Sequence, residues 1–284
     1  MCKSKPGQIF CPGSFETRLI GGWFYVLKEY PHQKQGRVII RVSDIRLVQI
    51  SVNFRQNNME EKRRYSKRKP GNPGQIVKTV ISAEERDKLT PDQILKDFLD
   101  GNERFRNNNL TQRDHSEQIR KSAFGQYPKA VVVSCLDSRV PVEDVFDQGI
   151  GDIFVGRIAG NFVNDDLLGS LEFACKVAGA KLIIIMGHQH CGAIKGAIDD
   201  VKLGNLTTTL SKIKPAIEMS QDYGGKKRSD NEDFVKLVSV NNVLHAISTI
   251  RTKSPILKEM EENGEIKIVG LFYTLTKGEL LLID

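Results

Sequence analysis

Three side chains of the types that bind transition metals follow two short apolar runs of the sequence. Cys135 comes directly after Ala130–Ser134, and the segment His188-Gln-His-Cys191 follows Lys181–Met186. Cysteine sulfur and histidine nitrogen are ligands that suit zinc, and a set of three leaves the fourth tetrahedral position open, as catalytic sites require. The sequence therefore predicts a catalytic zinc site on Cys135, His188 and Cys191. Cys135 taken alone could equally be a small buried residue of the core.

His190 is an alternative ligand, because it lies two residues after His188 and could close the site into a structural one with four ligands. Alternating residues on an extended segment point in opposite directions, so we favour His188 with Cys191. Cys175 falls on the apolar face of a predicted helix and is assigned to the core.

Asp137 and Arg139 follow the first cysteine at positions that project to the same side of an extended turn. A bidentate pair between them would keep the Asp137 carboxylate ionised and fix its orientation toward the metal. The alternative is an ordinary surface salt bridge, worth roughly 0–1 kcal/mol. We favour the functional interpretation because the pair adjoins a cysteine at the end of a predicted buried strand.

Alternating apolar runs and helical segments indicate how these residues are brought together. The runs 130–134, 152–156 and 181–186 read as buried strands, and helical patterns follow Thr90 and Asn164. This alternation predicts an α/β fold with a mainly parallel central sheet wrapped by helices. A C-terminal edge hairpin and an N-terminal helical arm complete the prediction. In such sheets, ligands collect where loops leave the carboxyl ends of the strands.

Two motifs resemble those of the β-class carbonic anhydrases. Cys135-Leu-Asp-Ser-Arg139 resembles the C-x-D-x-R motif of that family, and His188-Gln-His-Cys191 resembles its H-x-x-C motif. The similarity extends over roughly residues 88–284, including Asp152–Arg157 and the segment Ala159-Gly-Asn161. It implies a zinc enzyme that reversibly hydrates carbon dioxide to bicarbonate and a proton.

The resemblance also implies roles for individual residues. Cys135, His188 and Cys191 would bind one Zn²⁺ per subunit, while Asp137, paired with Arg139, would accept a hydrogen bond from a water on the metal.

Substrate-binding roles are implied for three further residues. Gln126 stands where many members of the family place an amide that contacts substrate, and Phe154 and Phe173 match an apolar pocket wall. Members of the family assemble as dimers or larger, which implies a homodimer or homotetramer here.

The positive charge of the chain is concentrated at its start. Residues 1–75 carry fifteen Lys and Arg against five Asp and Glu, whereas the whole chain has a formal net charge of +7. We interpret 1–75 as a basic appendage with a linker at 53–75, and 76–284 as the catalytic domain. A strand pair is predicted at 37–42 and 45–52. The basic run 61–69 could bind nucleic acid or anionic lipid, but a solvated linker is preferred and nucleic acid is not expected as a partner.

Five cysteines without a dense framework favour a reducing compartment. We predict a cytoplasmic protein without a membrane span, because the apolar runs are shorter than the ~20 residues that a span needs. Organellar targeting by the N-terminal segment stays open.

Two other functions are compatible with the same residues. The site could act on carbonyl sulfide or carbon disulfide, which are isoelectronic with carbon dioxide. Alternatively, His190 or Asp137 could complete a four-ligand structural zinc site in an interaction protein whose basic N-terminus binds nucleic acid.

Overall fold

The computed structural model describes residues 76–283 throughout and, before them, the backbone of five short strands. The chain divides into two compact units, Met1–Glu61 and Lys62–Asp284. In the first unit, five strands pair in sequence order as an antiparallel sheet. These are β1 Lys3–Lys5, β2 Gln8–Cys11, β3 Phe15–Ile20, β4 Trp23–Lys28 and β5 Val38–Ile40.

β5 falls within the strand predicted over residues 37–42. Its predicted partner over 45–52, the linker 53–75 and the basic run 61–69 lie outside the described residues. The domain boundary after residue 75 stays a prediction.

The second unit is built on a five-stranded sheet. Its order is β10-β9-β8-β6-β7, with parallel pairing throughout except for the antiparallel pair of β9 and β10. This arrangement confirms the predicted α/β fold and its C-terminal edge hairpin. The strands are β6 Ala130–Ser134, β7 Ile153–Arg157, β8 Leu182–His188, β9 Lys267–Thr274 and β10 Glu279–Ile283.

Helices cover both faces of this sheet. They are α1 Ala83–Asp87, α2 Pro91–Arg106, α3 His115–Ser122, α4 Val142–Val145, α5 Asp165–Glu172, α6 Gly192–Ile198, α7 Gly204–Ser211, α8 Lys214–Glu218, α9 Glu232–Lys253 and α10 Pro255–Glu262, with a π-helical turn at Phe173–Val177. Among the helices of the described residues, none has both the length and the apolarity that crossing a membrane would need.

α2 is the predicted N-terminal helical arm, and it begins at the predicted cap. The Thr90 hydroxyl accepts a hydrogen bond from the Gln93 amide, and the Gln93 side chain accepts one from the Thr90 amide. Ile94 and Phe98 are fully buried and pack α2 on the face of the sheet that Val132 also faces. The opposite face packs on α5, α9 and α10.

A buried carboxylate ties the end of α2 to the segment before β7. The Asp147 side chain has no exposed surface and lies 2.5 Å from both Arg104 Nε and Arg113 Nη1. The Thr111 hydroxyl donates a further hydrogen bond at 2.6 Å. Burial alone would raise the pKa of Asp147, but the hydrogen bonds from Thr111, Arg104 and Arg113 outweigh it and lower the pKa. The folded state therefore stabilises the ionised form.

We expect Asp147→Asn to lower the free energy of unfolding at pH 7 by about 3 kcal/mol, because it leaves two guanidinium groups without a carboxylate. A carboxyl whose pKa is lowered on folding contributes stability above its ordinary pKa of 3.8 and loses it as the pH falls below that value. The difference between wild type and variant should therefore shrink in acid. Urea unfolding at neutral and acidic pH measures it, with the exposed carboxylate variant Asp144→Asn as control. Equal effects of the two substitutions would contradict the stabilising role.

Candidate metal centre

The parallel pairing of β6 and β8 brings the three predicted ligands together. Ser134 is in register with Met186, so Cys135 and His188 both lie at the carboxyl edge of the sheet. Cys191 follows as the N-terminal cap of α6. The ligand atoms of Cys135, His188 and Cys191 all lie within 4.8 Å of one another, and all three side chains are buried.

The geometry of the cluster fits a tetrahedral metal ion. The two sulfur atoms of Cys135 and Cys191 are 3.8 Å apart. Two ligands at the usual Zn–S distance of about 2.3 Å and the tetrahedral angle are separated by about the same distance. His188 Nδ1 is 2.9 Å from the Gln189 carbonyl oxygen, and a hydrogen bond there leaves Nε2 as the nitrogen with a free lone pair. Nε2 is buried and has no hydrogen-bond partner among the residues that the structure describes.

The hydrogen bond between the two thiols shifts their pKa values in opposite directions. A hydrogen bond from Cys191 lowers the pKa of Cys135, although burial acts in the opposite direction. The same hydrogen bond, together with burial, raises the pKa of Cys191. A divalent cation would let both sulfurs ionise, because it supplies the positive charge that the cluster lacks.

Backbone N–H groups stabilise negative charge on both sulfurs. The Gly160 amide donates to Cys135 Sγ at 3.3 Å. Backbone hydrogen bonds from Ala193 and Ile194, in the first turn of α6, favour the Cys191 thiolate. Both cysteines belong to a buried apolar cluster, whose other members are Ile194, Ala197, Leu210, Ile213, Ala216, Phe234, Val235 and Val238.

Asp137 and Arg139 form the predicted bidentate pair. Arg139 Nε lies 2.9 Å from Asp137 Oδ1, and Nη2 lies 2.7 Å from Oδ2. These hydrogen bonds lower the pKa of Asp137 to about 2, so its carboxylate is ionised at neutral pH. Oδ2 is 3.9 Å from His188 Nε2, which places the carboxylate beside the cluster.

Arg157, the last residue of β7, fixes the backbone of the same turn. Its Nε donates to the Cys135 carbonyl at 3.0 Å, and its Nη2 donates to the Asp137 carbonyl at 2.6 Å. The turn that carries both a candidate ligand and the carboxylate is therefore held from the neighbouring strand.

His190 lies outside the cluster. Its backbone has a positive φ of 54°, and its Nδ1 is 3.4 Å from a carboxylate oxygen of Glu232. The segment after β8 turns at this point instead of staying extended. The preference for His188 over His190 therefore agrees with the geometry of the cluster, but the assumption of an extended segment behind it is not correct. Since both oxygens of Asp137 are bonded to Arg139, the four-ligand alternatives through His190 or Asp137 find no support in this geometry.

Gln126, Phe154 and Phe173 do not join the cluster within one chain. Gln126 is exposed, lies before the amino end of β6 and lines a surface cavity together with Ile150 and Gly151. The rings of Phe154 and Phe173 contact each other, with centroids 6.3 Å apart, at the edge strand β7. Their predicted roles in substrate binding stay predictions.

Three contributors to the site were missed by the sequence analysis as functional residues: Gly160, Arg157 and Asn242. Gly160 and Arg157 lay within segments that carried the resemblance, but neither was given a role. Asn242, on α9, donates to the Gly160 carbonyl at 2.8 Å. Its only sequence signal was an amide side chain on a mostly apolar helical face.

Known proteins resemble this chain in sequence and in fold. The family model for carbonic anhydrase matches residues 130–280. Carbonic anhydrase 2 of Mycobacterium tuberculosis is 32% identical over 195 residues, which cover 66% of this chain and 91% of that protein. The structure of the β-carbonic anhydrase CcaA aligns with a TM-score of 0.55 and 25% identity, over 67% of this chain and 95% of that one. A tetrameric β-carbonic anhydrase of Sordaria macrospora aligns with a TM-score of 0.52 and 25% identity, over 58% and 85% of the two chains. The chain therefore belongs to the β class of the carbonic anhydrase family.

Proposed function

We propose that the chain is a zinc-dependent enzyme that reversibly hydrates carbon dioxide to bicarbonate and a proton. The observation that carries the proposal is the buried cluster of two cysteine sulfurs and one unpartnered histidine nitrogen, with the Asp137 carboxylate beside it. Membership of the carbonic anhydrase family supports the same reaction.

Cys135, His188 and Cys191 would hold the metal. When bound, Zn²⁺ supplies a hydroxide nucleophile at neutral pH, because it lowers the pKa of a coordinated water to about 7. The backbone donors at the two sulfurs would orient these ligands, and the apolar cluster around them would limit the access of bulk water.

Asp137 orients the nucleophile. A carboxylate with a pKa of about 2 is a weak base, so it acts by accepting a hydrogen bond and does not store the proton that the reaction releases. Arg139 holds both carboxylate oxygens, and Arg157 holds the backbone beneath them. Together these contacts fix the direction from which Asp137 accepts.

We expect the zinc-loaded protein to hydrate carbon dioxide in a stopped-flow assay. Cys135→Ala should lose both zinc and activity, because only His188 and Cys191 remain of the three ligands. Cys175→Ala is the matched control, since Cys175 is an equally buried thiol outside the cluster. It should keep both properties. Full activity in the metal-free wild type would rule out the proposal.

Asp137→Asn should lower kcat by about 10²-fold, because the amide replaces one of the two hydrogen-bond-accepting oxygens with a donor NH2 group. Zinc content should stay near one per chain, since the carboxylate orients and does not bind the metal. Metal analysis beside steady-state kinetics separates the two effects, with the exposed variant Glu143→Gln as control. Loss of zinc in proportion to activity would instead identify Asp137 as a ligand.

The substrate-binding residues lead to a proposal about assembly. Phe154 lies at the beginning of β7, an edge strand whose outer side has no partner among the described residues, and Gln126 lies at the same amino edge of the sheet. Antiparallel pairing of two copies at such an edge would set the amino edge of one sheet beside the carboxyl edge of the other. Gln126, Phe154 and Phe173 of one subunit would then face the metal centre of the second. We propose a homodimer or homotetramer of this kind, in keeping with the tetrameric relative.

Mixing two inactive variants tests this arrangement. Cys135→Ala lacks a metal ligand and Gln126→Ala lacks the substrate contact, so a mixed dimer contains one complete site. We expect an equal mixture, after subunit exchange, to recover about a quarter of the wild-type sites. Activity that only equals the average of the separate variants would show that each chain builds its site alone.

The catalytic domain is proposed to span residues 76–284, and a cytoplasmic location stays a prediction. A chain beginning at residue 76 should therefore keep the hydration activity. Loss of activity in a folded chain of this length would assign residues 1–75 a catalytic role.

A further inference from the structure

A buried asparagine on α9 is connected to the metal centre through one backbone turn. Asn242 is 1% exposed, and its Nδ2 donates to the Gly160 carbonyl at 2.8 Å. The amide of the same glycine donates to Cys135 Sγ at 3.3 Å. A side chain far along the sequence thus bonds one side of the residue whose other side faces a candidate ligand.

The turn at Gly160 has little freedom to rearrange around this contact. Gly160 has a φ of +87°, and a Cβ added there would lie 2.6 Å from Ile213 Cδ1. Backbone in this region is accessible to glycine but strained for other residues. Its N–H and its carbonyl belong to the two peptide groups that meet at the Gly160 Cα. Because Ile213 packs closely there, a partner that anchors the carbonyl also restricts the direction of the N–H.

Among the described residues, the hydrogen bond to Gly160 is the polar contact that accounts for an amide side chain at position 242. Within the described part of the chain, Asn242 Oδ1 is buried without a hydrogen-bond partner, and the neighbours of Asn242 on the helix face include Val243, Ala246 and Ser239. An unsatisfied buried acceptor is unfavourable, and an apolar side chain of similar shape would avoid it. The bond to Gly160 is thus the contact that distinguishes asparagine from leucine at this position.

We propose that Asn242 is a positioning residue for the metal centre, which holds the Gly160 carbonyl so that the Gly160 N–H stays directed at the sulfur of Cys135. The inference rests on the proposed zinc site and extends it to a residue that touches neither metal nor substrate. A hydrogen bond to a ligand sulfur restricts its orientation and withdraws electron density from it, as outer-shell partners of metal ligands do.

Asn242→Leu removes the donor and keeps the shape of the side chain. Asn241→Leu is the matched control, because Asn241 is the neighbouring residue on α9 and donates to the Ser220 hydroxyl at 2.8 Å, away from the cluster. Zinc affinity is measured by competition with a chromogenic chelator. We expect the affinity of Asn242→Leu to fall at least tenfold, in the range of outer-shell substitutions of roughly 10–100-fold, and that of Asn241→Leu to stay unchanged.

Cobalt(II) substitution gives a readout that a purely structural role would not change. The sulfur-to-cobalt charge-transfer band of Asn242→Leu should move to lower energy, because the sulfur regains electron density, while that of Asn241→Leu should match wild type. If Asn242→Leu fails to fold, Asn242→Ser serves the same purpose, since its hydroxyl is too short to reach the Gly160 carbonyl.

Wild-type affinity and an unshifted cobalt band in the folded Asn242 variants would overturn this inference alone. A wild-type chain that binds no zinc would overturn the proposed function together with it. Equal losses in the variants at 241 and 242 would show that α9 acts only through stability.

Discussion

The site depends on the in-register parallel pairing of β6 with β8. Ser134 lies opposite Met186, and only this alignment brings the turn after β6 level with the end of β8. Because side chains alternate along a strand, a slip of one residue would turn His188 away from Cys135 and would also invert the faces of a fully buried strand. Because β6 and β8 are buried on both faces, the packing that fixes their register in the core also fixes the relative positions of the candidate ligands.

Negative charge on the two cysteine sulfurs has to be stabilised by neighbouring groups. Two sulfurs at 3.8 Å in an apolar environment cannot both be ionised unless a cation or hydrogen-bond donors compensate them. The structure supplies donors from the turn at Gly160 and from the first turn of α6. Two arginines lie nearby, but Arg139 is bonded to the Asp137 carboxylate and Arg157 to backbone carbonyls, so neither forms an ion pair with the thiols. A divalent ion at the proposed site would complete the charge balance and would leave Asp137 available for its proposed role in orienting a reacting molecule.

Elements with a recognisable side-chain pattern could be predicted from the sequence, whereas features that arise from backbone geometry could not. Apolar runs gave β6 and β8, and the Thr90 cap gave the beginning of α2, because both carry side-chain patterns. The π-helical turn at Phe173–Val177 was read as part of a continuous helix, since periodicity does not separate it from an α-helix. The donors at Gly160 and Ala193 are backbone N–H groups. Every residue type except proline has such a group, so residue identity does not reveal these donors. The positions of Gln126 and Phe154 relative to the cluster depend on which edge of the sheet each occupies, which a motif does not specify.

X-ray absorption at the zinc edge of the metal-loaded wild-type protein tests the coordination most directly. Coordination by Cys135, His188 and Cys191 predicts two sulfur ligands at about 2.3 Å, one imidazole nitrogen at about 2.0–2.1 Å and one further oxygen ligand. A spectrum with a single sulfur, or with no sulfur at all, would contradict a metal centre built on these three residues.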